Sequence, residues 1–257
     1  MHFSKPLAID LIKLAAPLAF VNVCTIGMFA VAMMVAGSFS VQELAALGFT
    51  LTLIVTTVVF FFTLLSAIIP ITANLKGAGN LSSELPSLLR SALVIASVLS
   101  IIAVIALTLL EALLPLITNA EEISSLVKEF LSIAIWGVPL DLLACAIIFI
   151  SNGAGRTFWP AAVSAGAFIA MVLVTWLIAL GNAGFVAMGS AGIAYSFLLA
   201  MLTKFVFSIL LLLQEDFRSL TFTEFTGSLD VPYLRRIFNI GFPIGLNEGS
   251  IQLFGAV

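Results

Sequence analysis

Two residues of opposite charge, Asp141 and Lys204, lie inside long apolar stretches of the sequence and are the strongest candidates for chemistry. A charge at the centre of a bilayer costs about 3 kcal/mol on insertion scales, so such groups normally face a protein interior or a wet cavity. Asp141 follows the predicted start of its helix by about 15 residues and Lys204 by about 14, which at 1.5 Å per residue puts both roughly 21–23 Å from the outer face. We therefore predict an ion pair, because pairing lessens the cost of burying either charge alone.

The predicted pair has more than one interpretation. It is either a structural clamp with no part in transport, or Asp141 is a carboxylate that binds a transported proton or sodium ion. In a further alternative, Lys204 extends towards the cytoplasmic headgroups and leaves Asp141 alone. Asn22 is the main polar residue of the first apolar stretch, and its amide either hydrogen-bonds to a neighbouring helix or lines a ligand cavity.

Other reactive residue types are scarce in this sequence. His2 is the single histidine, which excludes multi-histidine metal sites. Cys24 and Cys145 both lie inside apolar stretches, so a disulfide framework is not indicated. The glycine-rich segments 77–80 and 152–155 follow no strand, and we interpret them as tight turns between helices, without a bound phosphate. We expect no cofactor, no metal, no nucleic-acid partner and, because no His or Cys cluster is present, no intramembrane enzyme.

The elements that must position these residues are membrane helices. Hydrophobic residues make up 62% of the 257 residues and charged residues 9%, whereas a soluble domain is about half apolar and a quarter charged. A bilayer crossing takes roughly 20 apolar residues and must pair its own backbone groups, so the spans are helices. The sequence predicts an all-α polytopic membrane protein with six spans at residues 14–37, 47–69, 89–117, 126–150, 159–180 and 190–213.

A polar segment and a short repeat divide the chain. Residues 214–236 form the longest polar stretch, and the apolar segment at 240–246 is similar to the one at 14–20. Parallel repeats are a common plan for secondary transporters, with the substrate path between the two halves. We predict a first six-helix lobe over 1–213, a cytoplasmic interlobe linker over 214–236 and a truncated first helix of a second lobe over 237–257.

The basic residues favour a cytoplasmic N-terminus. With that orientation, Lys128 lies outside and eight of the ten basic residues lie inside. The eight are Lys5, Lys13, Lys76, Arg90, Arg156, Arg218, Arg235 and Arg236. We expect a multi-pass protein of the cell membrane, which in a bacterium is the inner membrane.

Several short motifs rich in proline, glycine and small residues recur along the chain in a fixed order. They are Pro17 with Asn22, Gly37, the segment 44–48, Pro70 with Thr72, the segment 77–80, the segment 152–157 with Pro160, the segment 188–194 and the segment 241–243. In this order and spacing, the chain resembles the multidrug and toxic compound extrusion (MATE) family over the family's first lobe and the beginning of the second. The resemblance implies two six-helix lobes that export organic cations or drugs in exchange for sodium ions or protons.

The sequence departs from the family pattern at the positions that carry coupling. The family's ion-coupling aspartate of the first helix falls on Ala32, and an alanine neither binds a cation nor carries a proton. Asparagines typical of the fifth helix fall on Met171 and Thr175, and the glutamate of the seventh helix falls on Ile251. The resemblance therefore implies the fold more directly than the usual coupling site.

Three functions stay open at this point. The leading one is a MATE-type antiporter, here a truncated or impaired fragment, with Asp141 as the coupling carboxylate and Asn22 and Thr175 as polar cavity groups. Its expected partners are a small organic cation or drug, the lipid bilayer and a missing C-terminal lobe. One alternative is a flippase for lipid-linked oligosaccharides or a polysaccharide exporter. Such proteins carry basic residues in the central cavity for anionic headgroups, and here Lys204 is the one candidate. The other is a non-transporting membrane subunit, which Ala32 allows.

Overall fold

The computed structural model describes residues 5–117, 121–212 and 230–255. These residues form nine α-helices and one π-helical turn, the latter over Thr175–Ala179. In chain order the α-helices are α1 (Lys5–Phe39), α2 (Val41–Leu65), α3 (Ile68–Gly77), α4 (Leu81–Ile117), α5 (Glu121–Ala134), α6 (Gly137–Gly153), α7 (Phe158–Val174), α8 (Gly189–Leu211) and α9 (Val231–Gly255).

The predicted all-α membrane architecture is confirmed. Five helical segments are long and apolar enough to cross a membrane: Ala15–Phe39, Val41–Gly77, Leu81–Leu114, Phe158–Ala179 and Gly189–Leu211. Counted as one span, the helices Ile123–Ala134 and Gly137–Gly153, which meet at an angle of 44°, make the sixth. These six overlap the six predicted stretches.

Two spans are interrupted at the same kind of sequence. Pro139 is the third residue of α6 and cannot donate a hydrogen bond to the carbonyl of Ile135 four residues earlier, so the helix breaks there. The Val138 N–H donates to the Ile135 carbonyl instead, at 3.2 Å. Pro70 has the same position in α3. The break matters for the site because Asp141 is the fifth residue of α6 and so lies just past the bend.

The seventh predicted helix starts earlier than expected. The sequence predicts its start at residue 237, after a linker that includes Pro232, but α9 begins at Val231. A proline in the first turn of a helix removes an N–H that has no intrahelical partner, so it permits the helix to start there. As far as its residues are described, α9 is not among the helices that are long and apolar enough to cross a membrane. Residues 214–229 of the predicted linker lie outside the described part.

Helix α9 packs on α2 and α4 through small and aromatic residues. A Cβ added to Gly241 would collide with the backbone of α2 at Leu64, so only glycine permits this approach. One turn before Leu64 on α2, the ring of Phe60 meets the ring of Phe242 edge to face at 6.2 Å. At the beginning of α9, the Tyr233 hydroxyl donates to Glu84 of α4 at 3.1 Å.

The interior of the bundle is built around α6. Nearly every residue of this helix from Leu142 to Gly153 is buried. Its C-terminal end lies directly on α3, because a Cβ on Gly153 would stand only 2.6 Å from the Cβ of Thr72. The central position of α6 explains why its few polar side chains, Asp141 above all, face protein and cavity and do not face lipid.

Candidate functional site

A cavity of about 300 Å³ lies between α1, α2, α6, α7 and α8. Most of its wall is aliphatic or aromatic, which is typical of sites that bind small organic molecules. The polar residues of the wall are Asn22, Thr25, Asp141, Asn152, Ser164 and Lys204, and the aromatic ones are Phe29, Phe62, Phe149 and Phe197. The cavity therefore combines a large apolar surface with one charged pair.

Asp141 and Lys204 form the ion pair that the depth of the two residues predicts. Lys204 Nζ lies 2.5 Å from Asp141 Oδ1. The pair joins α6 to α8, and both side chains are mostly buried, with exposed fractions of 21% for Asp141 and 18% for Lys204. The Lys204 ammonium points at the carboxylate, so the alternative in which it reaches the headgroups and leaves Asp141 alone is wrong.

Cys145 completes a small cluster with the pair. It lies one helical turn after Asp141, and its Sγ is 3.8 Å from Asp141 Oδ1 and 3.6 Å from Lys204 Nζ. The thiol is a weak hydrogen-bonding group, so the cluster is held mainly by the charge-assisted bond between ammonium and carboxylate. The two charges cancel, and the cavity wall carries no net charge at this point.

A second, smaller cavity of about 80 Å³ lies on the α1 and α7 side of the same pair. Its wall shares Thr25, Ser164, Asp141 and Lys204 with the larger cavity. A single water needs only about 10–15 Å³ of this kind of volume, so there is room for several waters beside the carboxylate. The ion pair thus lines two cavities, one on each side.

Asn22 lines the larger cavity from α1, as one of its two interpretations requires. Asn152 is a site residue that the sequence reasoning missed, because we assigned it to a turn. Helix α6 in fact continues through Gly153, and the glycine with a left-handed backbone is Gly155 at φ +75°. The spacing of Asp141, Cys145, Ile148, Phe149 and Asn152 places all five on one face of a helix, which is the signal that finds Asn152.

Thr175 does not join this site. It begins the π-helical turn after α7, it is 1% exposed, and it lines neither of the two cavities. Its Oγ1 has no hydrogen-bond partner within the described part of the chain. Ala32 is likewise 1% exposed and packs in the apolar core, so its position offers no space for a hydrated ion.

The comparison with protein families decides the assignment. Residues 17–177, more than half of the chain, match the family model described as MatE. This chain belongs to the MatE family. It is 27% identical to the multidrug resistance protein NorM of Vibrio cholerae over 254 residues, which cover 95% of this chain and 53% of that protein. It is 24% identical to the probable multidrug resistance protein NorM of Acinetobacter baylyi, covering 96% of this chain and 56% of that protein.

Solved structures of MATE transporters share the fold of this MatE chain. The Vibrio cholerae MATE transporter VcmN in its bent form superposes with a TM-score of 0.80 at 17% identity, covering 98% of this chain and 55% of that one. A transporter of the MOP superfamily from Pyrococcus furiosus superposes with a TM-score of 0.79 at 17% identity, covering 95% and 52%. The chain spans about half the length of the relatives that it matches.

Proposed function

We propose that this MatE chain acts in efflux, exchanging a sodium ion or a proton for an organic cation or drug across the cell membrane. The observation that carries the proposal is the Asp141–Lys204 pair, which is exposed to a mainly apolar cavity between the helices. The apolar and aromatic wall suits the body of an amphipathic compound, and Asp141 supplies the negative charge. The names of the relatives, multidrug resistance proteins, support the same class of activity.

Exchange follows from competition for one carboxylate. A cation bound at Asp141 and a cationic compound in the same cavity lower each other's affinity, because both draw on the same negative charge. Asn22 lines the same cavity, and its amide is available to hydrogen-bond to the compound. Thr175 lines neither cavity and takes no part in this proposal.

Alternating access requires two halves around one site. We therefore propose that transport takes place in a two-lobed assembly, in which the described six spans form the first lobe and α9 begins the second. The N-terminus is proposed to be cytoplasmic. Reporter fusions after α4 and after α8 test this orientation, since the first should report an external and the second an internal position.

Accumulation of a fluorescent cationic dye in a pump-deficient bacterial host tests the function. We expect cells that express the chain to accumulate less dye, and Asp141→Asn to abolish the difference. Glu111→Gln is the matched control, because Glu111 is a half-buried carboxylate of α4 that lines neither cavity. Membrane levels of each variant are compared through a fused fluorescent protein. Unchanged dye levels with the wild-type chain, or full activity in Asp141→Asn, would refute the proposal.

The polysaccharide or lipid-linked oligosaccharide alternative has less support from the site. Such a substrate carries anionic headgroups and needs basic side chains that are free to bind them. Among the residues that line the larger cavity, Lys204 is the one basic group, and a single basic side chain is little for an anionic headgroup. The site geometry therefore favours the efflux proposal.

A further inference from the structure

Lys204 stands where a bound monovalent cation would stand on Asp141. Its ammonium lies 2.5 Å from Oδ1, and the Cys145 thiol approaches the same oxygen. Neither contact engages Oδ2, the second oxygen of the carboxylate. The aspartate is therefore neutralised from one side by a cation that is covalently part of the chain.

The surroundings of Asp141 also offer space and oxygen atoms for a second cation. The smaller cavity of about 80 Å³ adjoins the carboxylate and holds the hydroxyl groups of Thr25 and Ser164 in its wall. Each hydroxyl donates its proton to a carbonyl of its own helix, Thr25 to Val21 at 3.0 Å and Ser164 to Pro160 at 3.1 Å. Their oxygen lone pairs are left to accept from water or to contact a cation.

The charge balance of this region depends on few groups. The titratable residues that line either cavity are Asp141, Lys204 and the thiols of Cys145 and Cys24. Where side chains are described, the charged residues of the neighbouring helices do not line them: Lys13 on α1, Glu43 on α2, Lys76 on α3, Glu84, Arg90 and Glu111 on α4, and Lys128 and Glu129 on α5. Lys204 is thus the charge that decides how strongly Asp141 attracts another cation.

We propose that Lys204 is a tethered competitor for the exchanged monovalent cation, and that it sets the affinity of Asp141 for a proton or a sodium ion. A cation that reaches Oδ2 is repelled by the ammonium on Oδ1, so binding requires the ion pair to loosen. Without the ammonium, the buried carboxylate needs a diffusible cation to neutralise it. Lys204→Gln therefore raises the affinity for that cation at least tenfold.

Thermal unfolding of the purified full chain in detergent micelles measures this affinity, with the three tryptophans as the fluorescence probe. One arm titrates sodium chloride against choline chloride at constant ionic strength and alkaline pH, and the other lowers the pH in choline alone. In Lys204→Gln we expect a saturable rise in melting temperature of about 3–6 °C at ten times the dissociation constant, in the arm that supplies the true cation. The wild type, with an affinity at least tenfold lower, should rise by about 1 °C or less over the same range.

Two further variants identify the groups involved. Asp141→Asn/Lys204→Gln lacks the carboxylate and should be flat in both arms, whereas Lys204→Arg keeps the tethered charge and should behave like the wild type. The inference is overturned if Lys204→Gln responds to neither cation, or half-saturates where the wild type does. It is also overturned if Lys204→Gln stays unfolded in every buffer, because a diffusible cation should rescue it.

This inference rests on the proposed role of Asp141 as the cation-binding carboxylate. The two proposals fail in different ways, because the unfolding measurement involves no transport. If Lys204→Gln gains cation affinity but the wild-type chain leaves dye accumulation unchanged, the efflux proposal alone is refuted. If the wild-type chain lowers dye accumulation and this depends on Asp141, but Lys204→Gln shows no gain in cation affinity, the competitor role alone is refuted.

Discussion

Removal of one partner of the Asp141–Lys204 pair should destabilise the chain more than removal of both. Breaking a buried pair leaves an uncompensated charge and costs about 3–5 kcal/mol, and because each side chain keeps about a fifth of its surface exposed, we expect about 2–3 kcal/mol for Asp141→Asn or Lys204→Met alone. The double variant Asp141→Asn/Lys204→Met leaves no buried charge. Its free energy of unfolding should lie within about 1 kcal/mol of the wild type, because neutral replacements of buried pairs are often tolerated.

The double-mutant cycle is measured by unfolding in mixed micelles, following the helical circular dichroism as the fraction of denaturing detergent rises. The expected coupling energy is about 3 kcal/mol or more in favour of the pair. The charge-swapped variant Asp141→Lys/Lys204→Asp is a second control, since it retains one charge of each sign. Additive losses in the double variant, or a swapped variant no more stable than either single variant, would show that the two charges do not interact.

Three further predictions concern packing and burial. Gly153→Ala should cost about 1–3 kcal/mol of unfolding free energy, because its Cβ would lie 2.6 Å from the Cβ of Thr72, and Gly77→Ala should be neutral because nothing lies within 4 Å. Burial and the hydrogen bond to an α4 carboxylate raise the pKa of Tyr233 to about 12. Since the unfolded value is about 10, stability should fall as the pH rises from about 10 to 12, and Tyr233→Phe should not show that fall. Ala32→Asp should lower the folded yield in size-exclusion chromatography, because it buries a carboxylate at a cost of about 3 kcal/mol; a well-folded Ala32→Asp would contradict this.

The fold could be predicted because lipid imposes simple rules on a sequence. Every span must be about 20 apolar residues of helix, so composition alone gave the six stretches. The same regularity made the ion pair predictable, since the fourth and sixth spans run in the same direction and residue counts along them give the depths of Asp141 and Lys204. Depth is the one coordinate that a membrane sequence gives directly.

The details that escaped prediction depend on contacts between helices. The end of α6 was misplaced because the sequence Asn152-Gly153 reads as a turn, whereas Gly153 is needed for the close contact with α3. The start of α9 was misplaced because a proline such as Pro232 is compatible both with a linker and with the first turn of a helix. Thr175 lies outside the two cavities and begins a π-helical turn, an irregularity that regular helical spacing does not predict.

Efflux of a cationic dye from proteoliposomes, driven by an imposed sodium or proton gradient, tests most directly the claim that the exchanged cation acts at Asp141. The decisive comparison is between the wild type and Asp141→Asn/Lys204→Met, which is expected to keep the fold. We predict gradient-driven efflux with the wild type and none with the double variant. A double variant that responds to the gradient as strongly as the wild type would contradict the account.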